Sequence, residues 1–150
     1  MVRVRDLSPD DAPALTDLYA EYGWWADCDV EDVRRALENT EVAVGVEDGG
    51  DGDDGELVAS ARVLTDFAYY ANVFDVVVAA DRRGEGLGGV LMEAVIDHPD
   101  LRSVVGLSLL CRRGLVPFYE SVGFERYDGE VDVPEGGTEE LVRMTYRTEG

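Results

Sequence analysis

Hydrophobic and polar positions alternate along this chain with two different periods. Runs with the strand period, or with nearly continuous β-branched residues, predict strands at 2–5, 41–46, 57–64, 73–79, 104–110, 125–132 and 141–147. Apolar residues three or four positions apart predict helices at 9–22, 30–39, 87–97 and 115–122. With a length of 150 residues, the chain is expected to form a single domain, residues 1–150.

One stretch, residues 75–91, joins a strand to a glycine-rich turn and a helix start. Valines occupy 76–78, arginines follow at 82 and 83, and glycines stand at 84, 86, 88 and 89. The first backbone N–H groups of a helix have no partner within the helix, and glycines leave them unshielded. Such a helix start binds anions, so a diphosphate is the expected guest.

Two common nucleotide-binding motifs fit this stretch poorly. Gly84, Gly86 and Gly89 match the dinucleotide pattern, but that motif belongs to a first strand-helix-strand unit and needs an acid about 20 residues later. The region 104–113 contains no acid, and the lysine of a Walker loop is absent because the chain has no lysine at all. The remaining pattern is an arginine followed by Gly-x-Gly, directly after a valine-rich strand.

The stretch 75–91 resembles the acetyl-CoA-binding motif of the GNAT superfamily of acyl-CoA N-acyltransferases. Residues 117–124, Pro-Phe-Tyr-Glu-Ser-Val-Gly-Phe, are similar to that family's Phe-Tyr-Glu-x-x-Gly-Phe helix and turn. The separation of the two motifs and the order of the predicted elements are also those of the family. The resemblance implies an α+β fold, with a mixed, largely antiparallel central sheet of about six or seven strands flanked by about four helices.

The resemblance also implies an activity and a donor site. An N-acetyltransferase would move an acetyl group from acetyl-CoA to a primary amine, on a small molecule or a peptide terminus, by direct attack in a ternary complex. The CoA diphosphate would rest on the glycine turn, and the pantetheine arm would pair with the valine strand. The donor-binding residues implied in this way are Val76, Val77, Val78, Arg83, Gly84, Glu85, Gly86, Leu87, Gly88, Gly89 and Arg112. Arg112 stands where relatives often have asparagine.

Three residues are candidates for proton transfer. By resemblance, Tyr119 is the general acid for the leaving thiolate, and a phenol is chemically able to donate that proton. Asp75 interrupts an apolar strand, where a carboxylate needs a partner or water, and it is the candidate base, with Asp66 acting through water as the other candidate. The alternatives are that Tyr119 only packs, with Phe118, against the sheet, and that Asp75 lies at a strand edge or end with access to solvent.

The acceptor amine is not readable from the sequence, although four aromatic residues are candidates for its pocket: Trp24, Trp25, Tyr69 and Tyr70. A different class of function also remains open. The same fold could bind acyl-CoA as a sensor or interaction module without turnover. Intact glycines and Tyr119 favour the enzyme.

Composition narrows the partners further. Acidic residues number 33 against 13 basic ones, all arginine, and the net charge is −20. This sign argues against nucleic acid, and it is typical of a protein that works at high salt, as in a halophile. No run is apolar enough to span a membrane, and Cys28 and Cys111 have no histidine neighbours, so neither a membrane nor a metal is expected. The expected location is the cytoplasm, and a homodimer stays an open alternative.

Overall fold

The computed structural model describes residues 2–49 and 55–148, with the side chain of Trp24 excepted. The described strands are β1 (Val2–Asp6), β2 (Val42–Asp48), β3 (Glu56–Thr65), β4 (Tyr70–Val78), β5 (Gly106–Ser108), β6 (Glu130–Asp132) and β7 (Thr138–Glu140). The α-helices in the same ranges are α1 (Ala12–Tyr19), α2 (Val30–Glu38), α3 (Leu87–Ile96) and α4 (Val116–Ser121). The chain divides into two compact units, residues 1–111 and 112–150.

The first unit is built on a five-stranded sheet in the order β1-β2-β3-β4-β5. Neighbouring strands run antiparallel, except that β5 pairs with β4 in parallel. Helix α1 contacts β3 and α2, and α3 contacts β2 and β3. The expected fold class, α+β with a mixed and largely antiparallel sheet, is confirmed.

The strand that is buried on both faces is β2, whereas the sequence pattern suggests the strand at 73–79. Six consecutive residues of β2 are buried, which requires cover on both faces because successive side chains point in opposite directions. In β4 burial alternates instead, with Val73 4% and Phe74 39% exposed. The expectation that the strand at 73–79 is covered on both faces is therefore wrong.

The first helix is shorter than its apolar pattern predicts. Ser8 and Asp11 form a capping box around a 3-10 turn at Pro9–Asp11, and α1 follows directly. Its last residue is Tyr19, so Tyr22 lies beyond the helix, in the segment that leads to a second 3-10 turn at Gly23–Trp25. Because Tyr22 lies outside the helix, the helix does not set the direction of its side chain.

The second unit contains α4 and a two-stranded antiparallel sheet of β6 and β7. The expected strand at 125–132 is reduced to β6. The one expected at 141–147 is wrong, since residues 141–148 have no regular structure. Gly136 and Gly137 both have positive φ, and the turn they form places 138–140 opposite 130–132. The turn, rather than hydrophobicity, thus selects the paired residues.

None of the helices in the described ranges combines the length and apolar character needed to cross a bilayer. Strands β2 and β3 pair as the expected hairpin. The tip of its acidic connection, residues 50–54, lies outside the described residues.

Candidate functional site

A β-bulge interrupts β4 where the sequence places the donor strand. Ser60 pairs with Val77 and Arg62 with Phe74, so Asp75 and Val76 together oppose the single residue between Ser60 and Arg62. Asp75 takes the left-handed conformation, with φ 56°. A bulge takes backbone groups out of the regular ladder and redirects them, here directly before the valines.

Beyond the bulge, β4 offers a backbone edge that points away from β3. The N–H of Ala79 donates to the carbonyl of Val58 at 2.8 Å. Because antiparallel pairs alternate between hydrogen-bonded and non-hydrogen-bonded, the N–H and C=O of Val78 face the opposite side. Strand β5 pairs only with residues 70–72 of β4, so no described strand covers this edge at Val78. An extended, amide-bearing molecule could pair with it.

The glycine turn follows this edge and ends in an uncapped helix. Gly84 and Gly86 have φ values of 81° and 83°, a region that only glycine enters at little cost. No side chain caps the start of α3, and its first turn carries no acid. The first helical bond runs from Val90 N–H to Gly86 O. The N–H groups of Leu87, Gly88 and Gly89 therefore have no partner within the helix.

The two arginines before the turn have different surroundings. Arg82 forms ion pairs with Asp48 at 2.6 Å and with Glu85 at 3.1 Å. Arg83 is exposed, and among the described residues it forms no ion pair. Its guanidinium lies 5.1 Å from the centre of the Tyr22 ring, a cation–π distance. Arg83 is thus the better placed of the two to meet an anion, and Glu85 is occupied by Arg82.

Asp75, the candidate base, is held by an arginine that the sequence does not single out. Arg62 donates through Nε and a terminal nitrogen to Asp75 Oδ2, at 3.0 and 2.6 Å, and to Thr40 Oγ1 at 2.8 Å. Burial lowers the pKa of Arg62, but the hydrogen bond and charge of Asp75 raise it more, so the net direction is upward. Burial first, and then the charge of Asp75, raise the pKa of Tyr19 beside this pair. Arg62 stays a cation and Tyr19 a neutral phenol.

Asp66 lies in the β3–β4 turn, and its side chain stabilises that turn. Its Oδ1 accepts hydrogen bonds from the N–H groups of Ala68, Tyr69 and Tyr70, at 2.8 to 3.0 Å. These three hydrogen bonds lower the pKa of Asp66, and the one from Tyr70 has the largest effect. They do so because they stabilise the charged form of the carboxyl group. Asp66 is consequently a weaker candidate base than an unbonded carboxylate.

Tyr119, the candidate acid, and Arg112 belong to the second unit. Tyr119 lies in α4 and is 7% exposed. Its ring makes edge-on contacts with Phe118, centroid to centroid 4.9 Å, and with Phe124, 5.9 Å. Arg112 is exposed and begins a 3-10 turn at Arg113–Leu115. Tyr119 thus contacts Phe118, while its acid role and the alternative of packing alone both stay predictions, as does donor binding by Arg112.

The aromatic candidates form two groups. The ring of Trp25 lies 4.7 Å from Tyr19 and 6.2 Å from Tyr22, centroid to centroid. Tyr69 and Tyr70 are 64% and 72% exposed, and their ring centroids are 6.2 Å apart. The side chain of Trp24 lies outside the described residues. That these residues line one acceptor pocket stays a prediction.

Sequence reasoning missed three residues that touch the donor strand or its continuation: Glu21, Tyr22 and Arg62. The apolar pattern includes Tyr22 in the helix predicted at 9–22, and Arg62 lies within the strand predicted at 57–64. A usable signal for Arg62 was Asp75 itself, because a carboxylate in an apolar strand needs a cation nearby. Within the described ranges, no cluster of His, Cys, Asp or Glu has the makings of a metal site.

Comparison with known proteins places these features in a family. The model of the acetyltransferase (GNAT) domain matches residues 39–126, a range that contains the bulge, the glycine turn and α4. The chain is 36% identical over 114 residues to serotonin N-acetyltransferase 2, chloroplastic, of Oryza sativa subsp. japonica. That alignment covers 76% of this chain and 56% of the rice protein. The chain thus spans about half the length of this curated relative.

Solved structures show the same fold. A GNAT-family protein from Xanthomonas campestris pv. campestris has 30% identity and a TM-score of 0.67, with 85% of this chain and 86% of that one covered. Glucosamine-6-phosphate N-acetyltransferase from Arabidopsis thaliana has a TM-score of 0.72 over 99% of both chains, at 18% identity, which supports the fold alone. By its family match and this fold, the chain belongs to the GNAT acetyltransferase family.

Proposed function

We propose that this protein is an N-acetyltransferase that moves an acetyl group from acetyl-CoA to a primary amine. The observation that carries the proposal is the continuity of three features in β4 and α3. An outward backbone edge at Val78 runs into a left-handed glycine turn, and the turn ends in an uncapped helix start. The pantetheine arm of CoA has amides that can pair with the strand edge, and the CoA diphosphate can bind at the helix start. CoA is therefore complementary to these three features.

The donor would be held mainly by backbone groups. The pantetheine amides would pair with the strand at Val76 to Val78, and the diphosphate would meet the N–H groups of Leu87 to Gly89. Each contact of this type at a helix start is worth about 0.3–1 kcal/mol. Arg83 would add a charge-assisted hydrogen bond. Several such contacts together are needed to hold the diphosphate.

The chemistry proposed is direct transfer. The amine nitrogen attacks the thioester carbonyl, the new C–N bond forms, and the C–S bond breaks with the electron pair leaving on sulfur. A backbone N–H near Val76 to Val78 would stabilise the oxyanion. Tyr119 would give its proton to the thiolate, and Asp75 would take the proton from the amine. For that step Asp75 has Oδ1, since both bonds from Arg62 go to Oδ2.

The acceptor class is an amine that is cationic before it reacts. A net charge of −20 attracts cations over long range at low salt. The rice relative is named for serotonin, an aromatic amine, and Trp25, Tyr69 and Tyr70 are the aromatic residues available for such a substrate. The same charge supports work at high salt, as in a halophile, and speaks against nucleic acid as a partner. The cytoplasmic location and a homodimer stay predictions.

Release of free CoA tests the proposal directly. The protein is incubated with acetyl-CoA and a panel of amines, including serotonin, a lysine peptide and a peptide with a free N-terminus, at low and at molar salt. We expect CoA release that depends on one class of amine. Tight binding of acetyl-CoA without amine-dependent release would instead identify a non-catalytic acyl-CoA sensor.

Replacing the candidate acid separates chemistry from binding. Tyr119→Phe should lower turnover by about 100-fold or more with little change in acetyl-CoA affinity, because only the proton donor is removed. Tyr127→Phe is the matched control, since Tyr127 lies in the same unit and is 77% exposed. Turnover unchanged in Tyr119→Phe would contradict the acid role.

A further inference from the structure

Two residues that follow α1 bind the end of β4 and the segment directly after it. The Tyr22 hydroxyl donates to the carbonyl of Val78 at 2.8 Å and accepts from its N–H at 3.2 Å. Glu21 Oε1 accepts from the N–H of Ala80 at 2.7 Å. Glu21 and Tyr22 are called the clasp below. They lie outside the helix that precedes them, so their position follows from these contacts.

The clasp also contacts the charged residue of the turn. The guanidinium of Arg83 lies over the face of the Tyr22 ring, 5.1 Å from its centre. One side chain therefore binds both backbone groups at the open edge of β4 and the arginine that has no ion pair among the described residues. These are the groups that the proposed donor site assigns to the pantetheine arm and to the diphosphate.

The two sets of contacts compete. A pantetheine amide that pairs with β4 as a strand needs the same N–H and C=O of Val78 that the Tyr22 hydroxyl holds. Glu21 places a carboxylate against Ala80, which lies four residues before Gly84. A diphosphate at the glycine turn would add negative charge to the same segment. Like charges at short range disfavour each other. The Tyr22 hydroxyl must therefore be displaced before the donor can pair with Val78, and the charge of Glu21 opposes the negative charge of the diphosphate.

We propose that the clasp is a competitor of acetyl-CoA that lowers donor affinity and is released when the donor binds. This rests on the proposed donor site. Release has a second effect, because the Tyr22 ring lies edge-on to Trp25, 6.2 Å between centroids. Movement of Tyr22 changes the surroundings of that indole, in the segment between α1 and α2. Glu21 and Tyr22 thus set donor affinity from a part of the chain outside the glycine motif.

Tyr22→Phe tests the hydroxyl alone, because it keeps the ring beneath Arg83. Calorimetric titration with acetyl-CoA should show binding about 3- to 10-fold tighter in Tyr22→Phe, since one or two hydrogen bonds no longer have to be broken. Glu21→Gln keeps an acceptor for Ala80 and removes the charge. It should also bind more tightly, with a gain that shrinks as salt screens the charge. Tyr127→Phe, on the exposed Tyr127, should bind as the unaltered protein does.

The outcomes distinguish the clasp from the donor site. If the unaltered protein binds acetyl-CoA and both clasp variants bind equally well or more weakly, the clasp only braces the fold and the inference is wrong. If neither the unaltered protein nor any variant binds acetyl-CoA, the proposed function fails and the clasp fails with it. Tryptophan emission gives a second measurement. Saturating acetyl-CoA should change the emission of a Trp24→Phe protein, in which Trp25 alone reports, and an unchanged spectrum would contradict release.

Discussion

Carboxylates at key positions of this protein are held by arginines from other elements. Asp75 is bound by Arg62 of β3, and Glu47 of β2 is bound by Arg3 and Arg5 of β1. A buried carboxylate is tolerated only with such a partner, and Glu47 is 6% exposed. In a chain with 33 acids and 13 bases, these two carboxylates are among those that have an arginine partner.

The Arg5 cluster should make stability depend on acidic pH. Hydrogen bonds from Arg5 and then Arg3 lower the pKa of Glu47, and the bond from Arg5 lowers the pKa of Asp11. A carboxyl with a lower pKa in the folded state contributes its full stabilisation above its unfolded pKa, about 4.3 for Glu and about 3.9 for Asp. That contribution is lost as pH falls through the folded pKa.

Glu47→Gln should therefore lower stability at neutral pH and flatten the loss of stability on acidification. Thermal unfolding followed by circular dichroism from neutral pH to about pH 3 would measure both effects. Glu38→Gln is the control, because Glu38 is exposed and makes no ion pair among the described residues. Parallel pH profiles for the unaltered protein and Glu47→Gln would contradict a role for this cluster.

For single residues, the sequence predicted the role that a residue type can play better than it predicted which residues contact one another. The glycines were identified because their type is tied to a backbone conformation, and Gly84 and Gly86 do adopt positive φ. Arg62 and the clasp could not be identified in the same way. Their contacts join residues far apart in the chain, 56 positions for Tyr22 and Val78, and no local pattern encodes such a pairing.

Among the elements, the turn between β4 and α3 is constrained by the backbone conformation of Gly86 more than by the space available for a side chain. An added Cβ meets nothing within 4 Å at either Gly86 or Gly89, but only Gly86 has a positive φ, 83°. A left-handed conformation costs a residue with a Cβ about 1–2 kcal/mol. In a helix, by contrast, Ala is favoured over Gly by about 0.5–1 kcal/mol.

Gly86→Ala should thus destabilise the protein by about 1–2 kcal/mol, whereas Gly89→Ala should leave stability unchanged or raise it. Urea unfolding of the two variants beside the unaltered protein measures the difference. Equal midpoints for the two variants would show that the left-handed turn is not retained in solution.

Elements with strong periodicity were predicted well, and short exposed ones were not. The hairpin of β2 and β3 and the helices α2 and α3 agree with their apolar patterns to within a few residues. Strand β5 is limited to Gly106–Ser108, and every residue of β6 and β7 is exposed. With little buried surface, hydrophobic alternation carries no information about pairing, and turn geometry decides it.

For the whole molecule, the excess of negative charge is the dominant feature. Self-repulsion at a net charge of −20 opposes compaction, and it is felt locally where Glu130 stands directly opposite Glu140 in the second unit. Salt shortens the range of this repulsion, from about 10 Å at 0.1 M to about 3 Å at 1 M. The sequence fully determines this property, because it depends on composition more than on folding.

The temperature of unfolding should accordingly rise between low and molar KCl. Glu140→Arg is expected to unfold at a higher temperature than the unaltered protein at low salt, and to gain less from added salt, because it replaces a repulsive cross-strand pair by an attractive one. Scanning calorimetry over a salt series measures both. A melting temperature that falls with salt would indicate that attractive ion pairs outweigh the net repulsion.

The outward backbone edge of β4 at Val78, which the Tyr22 hydroxyl occupies, tolerates changes of side chain. Its donor and acceptor are an amide hydrogen and a carbonyl oxygen, which nearly every amino acid supplies, so substitutions can accumulate there without erasing it. Substituting side chains therefore does not test the role of this edge, because the backbone N–H and C=O remain. The informative change is atomic: an ester linkage built by semisynthesis in place of the amide at Val78 would delete the N–H and keep the valine.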